Sequence, residues 1–420
     1  MRFEHLDDWL NWQQQLNPNT IDLGLDRVNK VYQRLQLNPL PRVITVAGTN
    51  GKGSTVAAYE TWLCNAGYSV ASYTSPHLIH YNERIKVNLR PVSDEQICAA
   101  FDRIERVRDD IALTYFEFGT LAALVIMSDL ALDYCILEVG LGGRLDAVNI
   151  IDADLAHLTP IGLDHQSWLG NDRETIGIEK AGILRQGGLA VCSDHNPPSS
   201  VLSLLQQLGC DFALSGRDYH YHWEDDLIHW QGREHKAVFK SPLPGSHQAQ
   251  NLTAVLAGLE LLGCLQSLSG QQIAERFAGL SCLGRLQTLQ CRGLPARLMV
   301  DVGHNPQAAL VIADFLKSLK PRHKVVVLLG MLEDKDSAVY VAELSEYVDE
   351  WWLVGLGGDR GLSAEQLSGR VAAQLNRLRL YETVADALSD AMPSLGNQDI
   401  LLATGSFLTV EAVLKFCENI

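Results

Sequence analysis

The stretch VITVAGTNGKGST, residues 43–55, constrains the rest of the chain more than any other. Residues 43–46 are apolar or β-branched and predict a short buried strand. Glycines at 48, 51 and 53 break that pattern, and residues 54–64 continue with a helical reading. A strand that turns through glycines into a helix N-terminus gathers free backbone N–H groups and the positive helix end at one point, where phosphate binds well. Lys52 adds a mobile positive charge, and Ser54 or Thr55 a hydroxyl for a phosphate-bound Mg²⁺. The match to the usual G-x-x-x-x-G-K-[ST] loop is imperfect: Val46 stands at the first glycine position, and Gly53 separates the lysine from the hydroxyls. An ordinary strand–turn–helix junction with packing glycines is the competing reading. Three glycines, a lysine and two hydroxyls converging after a strand favour a nucleotide.

The same pattern recurs. Residues 69–73 predict a strand ending in TSPH, residues 134–139 one ending in EVGLGGRLD, and residues 155–158 one ending in TPIGLDH. Parallel strands with crossover helices bring such turns to one sheet edge, where α/β proteins bind ligands. Lys52, Ser75, Glu138 and His165 are therefore candidates for one cluster. Residues 211–240 change to short alternating segments and predict an antiparallel meander. His220 and His222 alternate there with Tyr219, Tyr221 and Trp223. Histidines two apart can bind metal, but strand alternation explains them as a wet face opposite an aromatic one. Residues 284–295, rich in glycine, proline and polar groups, predict a boundary before a fresh strand–helix alternation. The expectation is a first domain over 1–287, a parallel-rich sheet flanked by helices with a small meander, and a smaller Rossmann-like α/β domain over 296–420.

A length of 420 residues suits two such domains. The formal charge of −16 argues against nucleic acid as a partner, so anions must be held by local positive features. The acidic, glutamine-rich residues 1–16 are not a secretory signal, and no run of about eighteen apolar residues predicts a membrane span. Nine cysteines without a C-x-x-C pair suit reduced thiols in the cytoplasm.

Glu138 ends an otherwise apolar strand, where a carboxylate needs a cation or an ion pair. Ser75 and His165 would complete a metal site, although Mg²⁺ prefers oxygen; an ion pair with Arg144 is the equal alternative. Asp301, in DVGHNP after a strand, suits ribose hydroxyls, and His304 a phosphate. A capped strand-to-helix turn explains that motif nearly as well. Arg285 is either a bidentate phosphate clamp or a surface arginine.

Taken together, GTNGKGST, TSPH, EVGLGGRLDAVN, GLDH, EKAGI, HQAQN, GRLQ and DVGHNP resemble the folylpolyglutamate synthases and dihydrofolate synthases of the Mur-ligase superfamily. The resemblance implies an ATP-dependent ligase that phosphorylates a carboxylate and joins L-glutamate to it. Dihydropteroate and reduced folates are the implied acceptors, and a bifunctional enzyme the implied form. It implies ATP contacts from Gly48, Thr49, Asn50, Gly51, Lys52, Gly53 and Ser54, with Asn251, Arg285, Asp301 and His304. One Mg²⁺ would be held by Ser54, Ser75 and Glu138 and a second by Glu138 and His165, with K⁺ as a further ion. Lys180 matches a lysine that the family carbamylates, and Lys52, Glu138, His165 and Lys180 become the catalytic set. Without the resemblance, Lys180 reads as a helix-surface lysine paired with Glu179 or another carboxylate. The pterin contacts implied are Ile21, Asp22, Leu23 and Gly24, then Thr114, Tyr115, Phe116 and Glu117, then Leu145, Asp146 and Ala147. A cytoplasmic monomer acting on small molecules is expected. A monofunctional relative, a Mur-type ligase of another substrate and a non-catalytic nucleotide-binding protein are the alternatives. The 42 residues before Val43 are few for the extra N-terminal domain of peptidoglycan ligases.

Overall fold

Five consecutive buried residues, Val43 to Ala47, suit a strand covered on both faces, and that is where the chain puts them. The computed structural model describes residues 2–17, 21–224, 227–319, 324–358, 360–375 and 377–418. In it, β1 (Arg42–Ala47) lies inside an eight-stranded sheet with β2 (Val70–Tyr73), β3 (Ile85–Val87), β4 (Arg90–Pro91), β5 (Tyr134–Glu138), β6 (Leu155–Leu158), β7 (Leu189–Cys192) and β8 (Asp211–Leu214). The order across the sheet is β4-β3-β2-β5-β1-β6-β7-β8. The run from β2 to β8 in that order is parallel, so its C-terminal ends share one edge. Strands β3 and β4 are antiparallel additions of three and two residues, too short to announce themselves by alternation.

In chain order the helices that matter for the site are α1 (Leu6–Leu16), α2 (Asp26–Leu35), α3 (Lys52–Asn65), α4 (Asp94–Arg108), α5 (Tyr115–Ser128), α6 (Gln166–Leu169), α7 (Arg173–Ala181), α8 (Ser199–Gln207), α9 (Ser246–Leu261), α10 (Gly270–Arg276) and α11 (Pro306–Ser318). Helices α1 and α2 pack on α4 and α5 through an aromatic core in which Trp9 lies 5.8 Å from Phe101 and 6.5 Å from Phe118, centroid to centroid. Ser93 and Thr114 begin α4 and α5 as capping boxes with Gln96 and Glu117. No helix of the described residues is long and apolar enough to cross a membrane.

The predicted meander starts later than expected. Residues 211–214 pair in parallel with β7, because Phe212 and Ala213 are buried and α8 provides the crossover. The antiparallel sheet is β9 (His220–Glu224), β10 (Leu227–Gln231) and β11 (Lys236–Lys240). His220, His222 and His229 are exposed while Trp230 is buried, which is the wet-face reading.

Contacts divide the chain into one unit of residues 1–242 and 248–280 and another of residues 243–247 and 281–420. The second holds a six-stranded sheet in the order β12 (Gln287–Leu289), β13 (Arg297–Val300), β17 (Ile400–Thr404), β14 (Val325–Leu329), β15 (Glu350–Val354), β16 (Leu378–Tyr381). Part of the segment expected as a boundary is thus an edge strand, β12, antiparallel to β13.

The Tyr59 side chain of α3 and Leu155 of β6 press on α9 where Gly258 has no side chain: a Cβ there would lie 1.9 Å from the Tyr59 hydroxyl and 3.0 Å from Leu155 Cδ2. Gly258→Ala is expected to destabilise the protein by about 1–3 kcal/mol through overpacking, read as a lower urea midpoint at constant m-value.

Candidate active site

The turn after β1 is shaped by two close approaches. A Cβ on Gly48 would sit 1.8 Å from Thr159 Oγ1 at the end of β6, and one on Gly51 2.7 Å from Asn251 Oδ1 on α9. Gly51 also takes φ +91° as it caps α3, a conformation that glycine adopts without strain. Thr49 ties the turn to the loop after β6: its N–H donates to Pro160 O at 3.0 Å, and its hydroxyl lies 3.1 Å from Gly162 O and 3.0 Å from Gly162 N. Asn251 is itself buried and donates to Gln248 Oε1 at 3.0 Å.

Two lysines converge on this turn. Lys52 Nζ donates to the carbonyls of Gly48 and Thr49 at 3.1 and 3.3 Å, and Lys180 Nζ to Gly48 O at 2.9 Å. Lys180 is 4% exposed, so it is no surface lysine. The nearby Glu179 instead pairs with Arg144 at 2.8 Å. Burial, reinforced by the Lys52 charge, lowers Lys180 to about 7.

The packing explains why EKAGI and GLGGRLDAVN occur together. A Cβ on Gly143 would lie 2.7 Å from the carbonyls of Glu179 and Lys180, and one on Gly182 2.4 Å from Arg144 Cβ. Asn149 Nδ2 then donates to Arg144 O and Gly182 O at 3.0 and 3.1 Å, locking the loop to the end of α7.

Glu138 stands directly beside the turn, since Val46 of β1 is its partner in the parallel register. It is 5% exposed; its Oε2 accepts from Ser75 N–H at 3.3 Å and lies 3.9 Å from where a Gly53 Cβ would be. Arg144 is engaged by Glu179, which removes the main support for the Glu138–Arg144 alternative. His165, with φ +52°, begins α6. Among the described residues no three His, Cys, Asp or Glu side chains gather as a metal cluster. Glu138 meets the Ser75 backbone beside the turn that carries Ser54, and carboxylate and hydroxyl oxygens are the donor types that suit a Mg²⁺-like ion.

Ser75 and His165 line a cavity of about 630 Å³, and so do all of Ile21, Asp22, Leu23 and Gly24, Thr114, Tyr115, Phe116 and Glu117, and Leu145, Asp146 and Ala147. Three segments from different parts of the sequence therefore form one wall set. Asp146 accepts from Leu141 N–H at 2.8 Å and Val148 N–H at 3.0 Å. Burial raises it to about 7, with those donors and the Lys52 charge acting in the opposite direction. Other lining residues escaped the sequence reading. Gly140 and Leu141 lie within a motif already singled out, whereas Gln13, Gln14 and Asn17 sit in or just after an ordinary amphipathic helix and carried no signal. Arg84, 8% exposed, donates to His77 Nδ1 at 2.8 Å and lies over the rings of Tyr81 and Tyr115.

In the second unit, Asp301 is buried and accepts from Leu286 N–H at 2.9 Å and Gly303 N–H at 2.7 Å. Burial raises its pKa, opposed chiefly by the Arg285 charge and more weakly by His304. His304 Nδ1 donates to Val302 O at 2.8 Å, and its ring centroid lies 6.2 Å from that of Phe407. Asn305 caps α11 through the Ala308 N–H, with Pro306 next, so the capping account of this turn holds and leaves Asp301 and His304 at its mouth. The predicted residues thus fall into a first-unit group around Lys52 and a second-unit group around Asp301.

Comparison with known proteins finds related chains and structures. Residues 46–259 match the family model for the Mur ligase middle domain, and residues 284–407 that for the Mur ligase, glutamate ligase domain. The chain is 42% identical to a dihydrofolate synthase/folylpolyglutamate synthase of Escherichia coli, over 98% of this chain and 95% of that protein. The Haemophilus influenzae protein of the same name is 37% identical, over 96% of each chain. Among solved structures, E. coli FolC in complex with DHPP and ADP superposes with a TM-score of 0.92 at 40% identity, over 99% of this chain and 98% of that one. A bifunctional folylpolyglutamate synthase/dihydrofolate synthase with Mn, AMPPNP and L-glutamate bound gives 0.87 at 40% identity, over 98% of each.

Because Lys180 titrates near 7 when folded and at 10.5 when unexposed to these neighbours, the folded protein binds the proton more weakly than the unfolded one. The cost of holding the ammonium is complete below pH 7 and is relieved as pH rises from 7 to 10.5. In the ligand-free protein, Lys180→Met is expected to raise the thermal midpoint at pH 6, with the gain shrinking toward pH 10.

Proposed function

The chain belongs to the dihydrofolate synthase/folylpolyglutamate synthase family of Mur ligases, and on that premise we propose how its residues carry out the family's reaction. It is an ATP-dependent ligase that joins L-glutamate to dihydropteroate and to reduced folates through an acyl phosphate. The observation that carries the site assignment is the single cavity lined by the three acceptor segments together with Ser75 and His165, with Asp146 in electrostatic reach of Lys52.

An oxygen of the acceptor carboxylate attacks the γ-phosphorus and ADP leaves; the glutamate amine then attacks the acyl carbon, phosphate departs, and the amine gives up its proton. Phosphoryl transfer of this kind needs positioned phosphates and neutralised charge. The N–H groups from Gly48 to Ser54 and the Lys52 ammonium supply both, Lys52 leaving its carbonyl partners for the phosphates. Asn251 fixes the turn from behind. A divalent metal bound by Glu138, Ser75 and Ser54 supplies further positive charge to the phosphate oxygens; we assign a second such ion to Glu138 and His165, and a K⁺ ion besides. In the second unit, Arg285, Asp301 and His304 provide a cation, a carboxylate acceptor and an imidazole of the kinds that nucleotide phosphate and ribose need. We read residues 1–287 as the ATP-binding domain and 296–420 as the glutamate-ligase domain.

Lys180 is placed for carbamylation. With its pKa near 7 a large share of it is neutral amine, which adds to CO₂ by forming an N–C bond and releasing a proton. The product replaces a positive charge beside Lys52 by a negative one.

Lys52→Ala and Glu138→Ala are each expected to lower kcat by about 100-fold or more at saturating ATP and Mg²⁺ with the fold retained by circular dichroism. Near-normal turnover would remove the residue from the site. With ATP, Mg²⁺, K⁺ and glutamate, both acceptors should be glutamylated, and dihydropteroate should inhibit tetrahydrofolate glutamylation competitively, since one phosphorylating centre serves both. Phe116→Ala should impair dihydrofolate synthesis more than polyglutamate extension; glutamylation of only one acceptor would refute the assignment.

A further inference from the structure

Arg27 does not itself line the acceptor cavity, yet it holds two of its walls. Its Nη1 lies 2.7 Å from Asp22 Oδ2, and its Nη2 donates to the Asp22 carbonyl at 2.7 Å. On the other side, Nη2 and Nε reach Glu117 Oε1 and Oε2 at 3.2 and 3.4 Å. Asp22 belongs to the first cavity segment and Glu117 to the second, ninety residues from Arg27. Glu117 is almost fully buried, and its Oε2 also accepts the Thr114 N–H at 2.7 Å, which starts α5 and orients the turn bearing Tyr115 and Phe116. One guanidinium at the start of α2 therefore joins a partly exposed carboxylate, a carbonyl and a buried carboxylate.

We propose that Arg27 is a positioning residue that sets the width of the acceptor cavity and, through it, the preference for dihydropteroate over reduced folates. The inference rests on the reading of the cavity as the pterin seat. Only a planar fork satisfies Asp22 and Glu117 at once, and removing it leaves Glu117 buried without its cation, so the wall carrying Phe116 shifts. The two acceptors differ in how they feel such a shift. Dihydropteroate carries its reacting carboxylate directly on a rigid benzoate, so any displacement of the pterin seat moves the carboxylate from the γ-phosphate. A folate carries it on a flexible glutamate tail that absorbs the displacement.

The test compares Arg27→Met and Arg27→Lys in the full chain, with KM and kcat for both acceptors, KM for ATP, and the thermal midpoint. Since misplacement by about 1 Å can cost about 100-fold in rate, Arg27→Met is expected to lower kcat/KM for dihydropteroate at least about tenfold and for tetrahydrofolate less than about threefold, with KM for ATP unchanged. Arg27→Lys, which keeps the charge and loses the fork, should recover part of the difference. Equal effects on both acceptors, or none, overturn the proposal, because a merely structural arginine would not change the ratio. If Arg27→Met does not fold, Arg27→Gln, which keeps hydrogen-bonding capacity but loses the charge and the fork, is read by the same ratio. Phe116→Ala separates the two levels: if it lowers kcat/KM for dihydropteroate and Arg27→Met does not, the clamp is wrong and the seat stands; if neither does, both fall.

Discussion

Everything at the catalytic edge depends on how closely the backbone at Gly48 approaches Thr159. With no Cβ in the way, the turn after β1 lies against the end of β6, and its carbonyl is left facing two lysines. The parallel register does the rest: β1 lies between β5 and β6, so Glu138 and the loop leading to His165 flank the same turn. A side chain at position 48 would force these strand ends apart and separate the groups that the chemistry needs together.

Around that contact the protein holds charge under unusual conditions. Lys52 and Lys180 share one carbonyl, and Asp146 is buried within their field. In water such groups would ionise independently. Burial in a low-dielectric pocket is what brings Lys180 down and Asp146 up to about 7, with the Lys52 charge pushing both downward. Bringing in the negative charge of a nucleotide and the positive charge of its metal changes that balance, so ligand binding and protonation are coupled here.

The cavity lined by Ser75 and His165 is built by different means. Its walls are short polar turns, held by caps and ion pairs rather than by a continuous sheet: Thr114 with Glu117, Asp146 with two backbone N–H groups, and Arg27 between Asp22 and Glu117. Such contacts are directional, so they fix where a wall stands, whereas the aromatic packing around Trp9 behind them supplies cohesion.

By itself the sequence determined the strand–turn–helix at 43–64, the repeated strands with polar ends, the wet histidine face of the meander and the family, because glycine spacing, apolar runs and alternation are local properties. It left open whether Glu138 meets a metal or Arg144, and whether Lys180 is inside or out. Tertiary structure decided the partner of Arg144 and the place of Lys180: Arg144 is drawn to Glu179 because Gly143 and Gly182 let two backbones touch, and Lys180 is turned inward to Gly48. The lining roles of Gln13, Gln14 and Asn17 were equally invisible, since a polar face of an amphipathic helix looks the same whether it meets water or a cavity. The short strands β3, β4 and β12 form only because a neighbour offers unpaired backbone groups to such short segments. Burial and partner choice are decided by residues far away in the chain, and no local pattern encodes them.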